Sequence, residues 1–126
     1  MKGISKYTPL LNLPQGIAPF SLGEGNTPLI KSRQIGPELG FPNLYFKLES
    51  SNPSGSYKDR FAAFAIADVL ANQGKLCLAT SSGNTGAALA AYAAAAGIPC
   101  KIAIVEGAPE GKLKQMRAYG ASLYVI

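Results

Sequence analysis

The chain has 126 residues, of which 48% are apolar and 15% charged, a composition typical of one folded domain and unlike that of a disordered chain. Its net charge is +5, but the basic residues are scattered and form no stripe with interleaved aromatics, which argues against a nucleic-acid partner. Histidine is absent, which excludes Ser-His-Asp and Cys-His catalysis and imidazole metal ligands. No metal site is expected.

Cysteine usage and hydropathy indicate a cytoplasmic protein without a membrane partner. Cys77 and Cys100 lie in apolar, strand-like runs, where buried free thiols are expected rather than a disulfide. No apolar run is long enough to span a membrane. Pro9 and Pro14 interrupt the N-terminal region where a signal peptide would need an apolar stretch.

The first part of the chain carries turn-forming residues and no sustained period. Residues 1–29 are rich in proline and glycine, which predicts an irregular arm with short extended pieces. The arm ends in Gly-Glu-Gly-Asn-Thr-Pro-Leu at 23–29. A short helix over 32–39 and a strand over 44–48 are predicted next, as the start of a βα-repeat domain over 30–126.

Helices and strands then alternate strictly. The pattern predicts helices over 58–73, 84–96 and 111–119 and strands over 76–79, 101–105 and 122–126. Gly74, Gly97 and Gly120 follow the three helices at a constant interval, where a left-handed closing conformation is expected. The same interval separates Cys77 from Cys100, which predicts equivalent strand positions for the two cysteines.

This alternation predicts an α/β fold. Repeated βα units give right-handed crossovers and a mostly parallel sheet with helices covering it. The strand segments are almost continuously apolar, as expected of strands buried on both faces. The predicted architecture is therefore three-layered, with helices on both faces of the sheet. The alanine-rich helices permit close packing.

The loop at 51–60, Ser-Asn-Pro-Ser-Gly-Ser-Tyr-Lys-Asp-Arg, precedes the first long helix. Ser56 and Asp59 have the spacing of a capping box, which predicts Lys58 in the first helical turn. The positive end of a helix disfavours a second cation. The position therefore favours the neutral amine, the nucleophile required to bond a carbonyl cofactor. The alternative is a solvated lysine beside Asp59.

The loop at 80–86, Thr-Ser-Ser-Gly-Asn-Thr-Gly, joins a strand to a helix. Its hydroxyls, amide and free backbone N–H groups at a helix N-terminus are suited to a carboxylate or a phosphate. It lacks the lysine of a Walker loop and the glycine spacing of a dinucleotide fingerprint. The alternative is a well-capped turn without a ligand.

Four segments together resemble the fold type II pyridoxal-phosphate enzymes of the tryptophan synthase β superfamily. They are the segment at 23–29, the loops at 51–60 and 80–86, and Lys-x-x-Gln-Met-Arg-Ala-Tyr-Gly-Ala at 112–121. The resemblance extends over about residues 22–126 and is closest to the threonine synthases. It implies an N-terminal portion of a pyridoxal 5'-phosphate-dependent lyase or synthase with an amino-acid substrate, converting O-phosphohomoserine to threonine.

The resemblance also implies roles for individual residues. Lys58 would bond the cofactor aldehyde and later act as base or acid at the substrate carbons. Asn84 would donate a hydrogen bond to the cofactor ring oxygen. The substrate carboxylate would be received by Ser82, Gly83, Asn84 and Thr85.

Two departures from the threonine synthase pattern leave the substrate open. Lys47-Leu48-Glu49 is more similar to the dehydratases and cysteine synthases, and Tyr57 stands where phenylalanine is commoner. A cysteine synthase-like or threonine dehydratase-like activity is therefore an alternative.

Two parts that the resemblance implies are absent from the sequence: a glycine-rich loop for the cofactor phosphate and a polar partner for the pyridine nitrogen. Losing three hydrogen bonds to a charged phosphate costs roughly 4 kcal/mol or more, about a thousandfold in affinity. The chain is therefore expected to be truncated relative to the family, to bind the cofactor weakly or not at all, and to be inactive alone. A non-catalytic remnant, a half-enzyme that self-associates or joins a complementing chain, and an anion-binding module remain alternatives.

Overall fold

The computed structural model describes residues 3–10, 17 and 19–126. The α-helices in this part of the chain are α1 (Ile35–Glu38), α2 (Asp59–Ala71), α3 (Asn84–Ala95) and α4 (Glu110–Ala118), and the strands are β1 (Leu29–Lys31), β2 (Tyr45–Lys47), β3 (Cys77–Thr80), β4 (Cys100–Ile104) and β5 (Ser122–Val125). Short 3-10 helices cover Gly3–Leu10 and Glu49–Ser51. The helices and strands predicted from residue 32 onward are confirmed. None of the helices in these ranges could cross a membrane.

The N-terminal arm is more regular than its composition predicts. Gly3–Leu10 is a 3-10 helix rather than an irregular or extended piece. The strand β1 pairs antiparallel with β2, with Ile30 opposite Phe46. Residues 1, 2, 11–16 and 18 of the predicted arm lie outside the described residues. A small antiparallel sheet therefore accompanies the main sheet.

The main sheet is parallel, with strand order β3-β4-β5. Its register places Cys77 opposite Cys100 and Ile104 opposite Val125. The two cysteines are buried free thiols. Their predicted equivalence in neighbouring strands is confirmed, since each βα unit advances the chain by one strand with the register preserved.

The helices α3 and α4 pack on this sheet, and α2 packs on α3. The helix α3 contacts β3, β4, α2 and α4, and α4 also contacts β5. The contact between α2 and α3 is close because their facing residues are mostly alanines without accessible surface: Ala62, Ala63, Ala88, Ala90 and Ala93. The mostly parallel α/β class is confirmed. Its alanine-rich helices have the packing role predicted for them.

The face of the main sheet turned away from these helices is open in the part of the chain that the structure describes. In β4, Cys100, Ile102 and Ile104 are buried and Lys101 is exposed. The neighbouring Leu78 is 74% exposed. The expectation of strands buried on both faces is therefore wrong for the described residues, because α3 and α4 pack against the other face. The second helix layer predicted from the βα alternation does not cover this face in the described part of the chain.

The helices α2, α3 and α4 end in the same hydrogen-bonded turn. Gly97 and Gly120 have φ of 70° and 85°, as predicted. After α2, Gln73 takes the left-handed conformation with φ 55°, so the prediction for Gly74 is wrong. The reason is a shift by one residue: the Gly74 N–H donates to the Val69 carbonyl at 2.7 Å, which places Gly74 one position beyond the left-handed residue.

Candidate functional site

Lys58 lies at the end of the loop that leads into α2. Because α2 begins at Asp59, the lysine is the residue just before the first turn, with φ −67° and ψ −17°. The predicted capping box is wrong. Asp59 instead accepts the N–H and the hydroxyl of Ser54 at 2.9 and 2.7 Å, while Ser56 Oγ accepts the Lys58 N–H at 3.3 Å. Gly55, with φ 86°, reverses the chain and returns Ser54 to the helix start.

Lys58 is half-buried. Its Nζ lies 4.9 Å from the centroid of the Tyr57 ring. Among the described residues Lys58 forms no ion pair, and the adjacent Asp59 carboxylate is fully buried and bonded to Ser54. The Lys58 side chain is therefore free to meet a ligand.

The segment 23–29 is held against the lysine loop by Glu49. This carboxylate accepts two hydrogen bonds from Arg60 at 2.9 Å, one from the Thr27 hydroxyl at 2.7 Å and one from the Asn52 amide at 2.9 Å. The Arg60 hydrogen bonds above all, followed by those from Thr27 and Asn52, lower the pKa of Glu49 to about 2. Asn52 Oδ1 also accepts the Gly25 N–H at 2.9 Å. Gly25 and Thr27 thus attach the segment 23–29 to the lysine loop and to Glu49, a role that the sequence did not reveal.

The same segment is anchored to α3 by a buried carboxylate. Glu24 is fully buried and accepts hydrogen bonds from the Tyr92 hydroxyl at 2.8 Å, the Ser21 hydroxyl at 3.1 Å and the Leu22 N–H at 3.0 Å. Burial, followed by the bond to Glu24, raises the pKa of Tyr92. These partners offset the cost of burying a polar group.

The second loop is shaped by two serines. Ser81 Oγ accepts the N–H groups of Gly83 and Gly86 at 3.3 and 3.0 Å, so this hydroxyl satisfies part of the α3 N-terminus. Ser82 Oγ accepts the Val105 N–H at 3.0 Å, which joins the loop to the end of β4. Sequence reasoning overlooked Ser81. The available signal was its place two residues before Gly83, the N-cap of α3, where a serine hydroxyl can accept the N–H groups of a helix N-terminus.

The first residues of α3 keep their donors free within the described part of the chain. Asn84 and Thr85 are half-buried, and neither their backbone N–H groups nor their side chains bond to another described residue. Both N–H groups stand at the positive end of a twelve-residue helix. This end of α3 therefore has the donors that an anion requires.

The helix α4 brings the two loops together. Gln115 Nε2 donates to the Ser54 carbonyl in the lysine loop at 2.8 Å. The next residue, Met116, is fully buried and packs against Gly86 in the first turn of α3, since a Cβ at Gly86 would lie 2.9 Å from Met116 Cε. The lysine loop and the start of α3 therefore lie at the same end of the fold.

The resulting site combines one available amine with helix donors for an anion. Within residues 3–10, 17 and 19–126, the structure contains no cluster of three or more metal-ligating side chains. The arrangement therefore suits a ligand that carries both an electrophilic carbonyl and an anionic group.

Comparison with known proteins identifies the family. Residues 20–126 match the family model described as pyridoxal-phosphate dependent enzyme. The chain is 43% identical to threonine synthase of Bacillus sp. (strain ULM1) over 127 aligned residues, which cover 99% of the chain and 36% of that protein. Identity to threonine synthase of Halalkalibacterium halodurans is 40%, over 98% of the chain and 35% of the relative.

A solved structure agrees. O-ureido-L-serine synthase superposes with a TM-score of 0.72 at 34% identity, covering 81% of this chain and 33% of that one. The chain thus spans about a third of the length of the relatives that it matches. By the family match, the similarity to threonine synthases and the shared fold, this chain belongs to the pyridoxal-phosphate dependent enzymes of fold type II.

Proposed function

We propose that the chain carries the lysine-bearing part of the cofactor and substrate site of a threonine synthase-like enzyme. The observation that supports it is the placement of the Lys58 loop beside the start of α3, through Gln115 and Met116. The residues fit pyridoxal phosphate, because a half-buried amine and free helix donors suit its aldehyde and its anionic groups. When bound, this cofactor supplies an electron sink for negative charge on substrate carbons.

Each residue has a defined task in this proposal. Lys58 bonds the cofactor through its amine and holds or delivers a proton at the substrate carbons. Asn84 donates from its side-chain amide to orient the cofactor ring. Ser82, Gly83, Asn84 and Thr85 receive the substrate carboxylate. Ser82 Oγ already accepts the Val105 N–H, so its own hydroxyl proton remains for donation.

The substrate that we propose is O-phosphohomoserine, converted to threonine. The curated relatives named threonine synthase support this choice, at 40 to 43% identity. The departure at Lys47-Leu48-Glu49 supports a cysteine synthase-like or threonine dehydratase-like activity as the competing assignment. Both assignments require an amino-acid substrate and the same lysine. Because the chain spans about a third of its relatives, we propose weak cofactor binding and no turnover by the chain alone.

The direct test is the visible absorption band that forms when a protein amine bonds pyridoxal phosphate. We expect the band in the wild-type chain at high cofactor concentration and its loss in Lys58→Ala. Lys75→Ala is the matched control, since Lys75 is exposed and lies outside the two loops. A band that persists unchanged in Lys58→Ala would remove Lys58 from this role.

The open sheet face favours a second candidate, a half-enzyme that joins a complementing chain. Leu78 is 74% and Tyr124 50% exposed on that face, and exposed apolar patches mark interaction sites. The partner that fits is a chain with the remaining two thirds of the family sequence. In sedimentation, we expect a complex with that segment of the Bacillus relative. Leu78→Lys should weaken the complex, and its persistence in that variant would count against this surface.

A further inference from the structure

No residue of the segment Lys-x-x-Gln-Met at 112–116 is assigned a contact with cofactor or substrate above, yet the segment contacts both loops of the site. Gln115 is half-buried in α4. Its Nε2 donates to the Ser54 carbonyl at 2.8 Å, and its Oε1 accepts from Lys112 Nζ at 2.9 Å. The two contacts agree on one orientation of the amide, because only the nitrogen can donate and only the oxygen can accept from an ammonium group.

The contact with Ser54 completes the bonding of a buried residue. The Ser54 N–H and hydroxyl both donate to Asp59, and the carbonyl accepts from Gln115. Ser54 is therefore fixed to the first residue of α2 on one side and to α4 on the other. Lys58 follows four residues later in the same loop, so its backbone position depends on this attachment.

The neighbouring Met116 fixes the other loop. It is fully buried and lies against Gly86, where a Cβ would approach its Sδ to 3.1 Å. Gly86 also donates its N–H to Ser81 Oγ. The start of α3 and the lysine loop therefore contact two adjacent residues of α4, Met116 and Gln115. In the described part of the chain, the Gln115 bond is the hydrogen bond that joins the lysine loop to α4.

We propose that Gln115 is a positioning residue, which sets the place of Lys58 relative to the anion-receiving start of α3 through the Ser54 carbonyl. This inference rests on the proposed function of Lys58. A glutamine is required rather than a glutamate, because a carboxylate would place lone pairs against the Ser54 carbonyl while keeping the contact with Lys112.

The test uses the isosteric variant Gln115→Glu and two measurements on the whole chain. Amide hydrogen exchange reports the loop directly, since the N–H groups of Ser54, Gly55, Lys58 and Asp59 are all hydrogen-bonded. We expect them to exchange about five- to tenfold faster in the variant, the usual effect of losing one hydrogen bond. Exchange in β3 and β4 should not change. The yield of pyridoxal phosphate trapped on Lys58 by borohydride should fall by a similar factor.

The controls separate positioning from general stability. Lys114→Gln alters an exposed residue of α4 that is paired with Glu110, and it should leave both measurements at the wild-type level. Gln115→Ala should repeat the local loosening. Wild-type exchange in the loop of both Gln115 variants, or an equal rise throughout the sheet, would overturn the inference. A loosened loop in a protein whose wild-type form traps no cofactor would support the attachment and refute the proposed function of Lys58.

Discussion

Gly86 shows how one residue couples helix packing to the site. A helical glycine is ordinarily a weak point, and alanine in its place favours the helix by up to about 1 kcal/mol. Here a Cβ would lie 2.9 Å from both Met116 Cε and the Ser81 carbonyl oxygen. The end of the Met116 side chain can move, but the Ser81 carbonyl is part of the backbone of the loop at 80–86. The absence of a side chain at Gly86 therefore permits the close approach of α4 to the start of α3.

Gly86→Ala should accordingly destabilise the chain by about 1–3 kcal/mol, as overpacking does, despite the better helix propensity of alanine. Urea unfolding measures the change. Gly111→Ala is the matched control, because Gly111 lies in α4 and its Cβ would meet no atom within 4 Å. We expect that variant to be neutral or slightly more stable. Equal effects at the two positions would contradict the role given to Gly86.

At the scale of elements, the sequence predicted the helices whose bounds are determined by local signals. Apolar periodicity and the glycines after helices placed α2, α3 and α4 within two residues of their observed bounds. The strand β1 was missed because it directly follows Pro28 at the end of the proline- and glycine-rich arm, and its three residues are too few to show a period. The bond between Gln115 and Ser54 joins residues 61 positions apart, and such contacts follow from the tertiary fold rather than from any local pattern.

For the candidate site, the sequence predicted the two loops but not how they are held. Lys58 was singled out from its predicted place at a helix start and Asn84 from the family resemblance, and both roles stay predictions. Asp59 was assigned to a capping box with Ser56, whereas the positive φ of Gly55 brings Ser54 to the carboxylate instead. Spacing alone could not distinguish the two serines, because the choice depends on a chain reversal at Gly55, four residues before the helix begins.

The Glu49 clamp, meaning the hydrogen bonds that Glu49 accepts from Arg60, Thr27 and Asn52, makes the free energy of unfolding depend on pH. The pKa of Glu49 is lowered from 4.5 to about 2, so its contribution is fully present above about pH 4.5 and is lost as the pH falls through about 2. We expect Glu49→Gln to lose about 2 kcal/mol at neutral pH, as for hydrogen bonds to a charged group. The difference from wild type should shrink between about pH 4.5 and 2, as measured by urea unfolding.

The control for this clamp is Glu106→Gln, since Glu106 is an exposed loop residue. Its substitution should change stability by less than about 0.5 kcal/mol at any of these pH values. A difference between wild type and Glu49→Gln that stays constant as the pH falls would show that the Glu49 charge is not what stabilises the segment 23–29.

At the scale of the whole molecule, the candidate site lies at one end of the fold, and one face of the main sheet is uncovered in the described part of the chain. That end contains the lysine loop, the start of α3 and the segment 23–29. Gln115 and Met116 contact the first two, and the Glu49 clamp joins the segment 23–29 to the lysine loop. The open face presents Leu78 and Tyr124 to solvent. The chain spans about a third of the length of the relatives that it matches.

The central claim is that the two loops form one binding site, and an NMR titration of the ¹⁵N-labelled chain with pyridoxal phosphate tests it most directly. We predict that the amide signals of residues 54–59 and 82–85 shift together, with one common dissociation constant. Weak binding does not hinder this measurement, because the shifts follow the bound fraction. Shifts confined to one loop, or centred on the exposed face around Lys101, would contradict the claim.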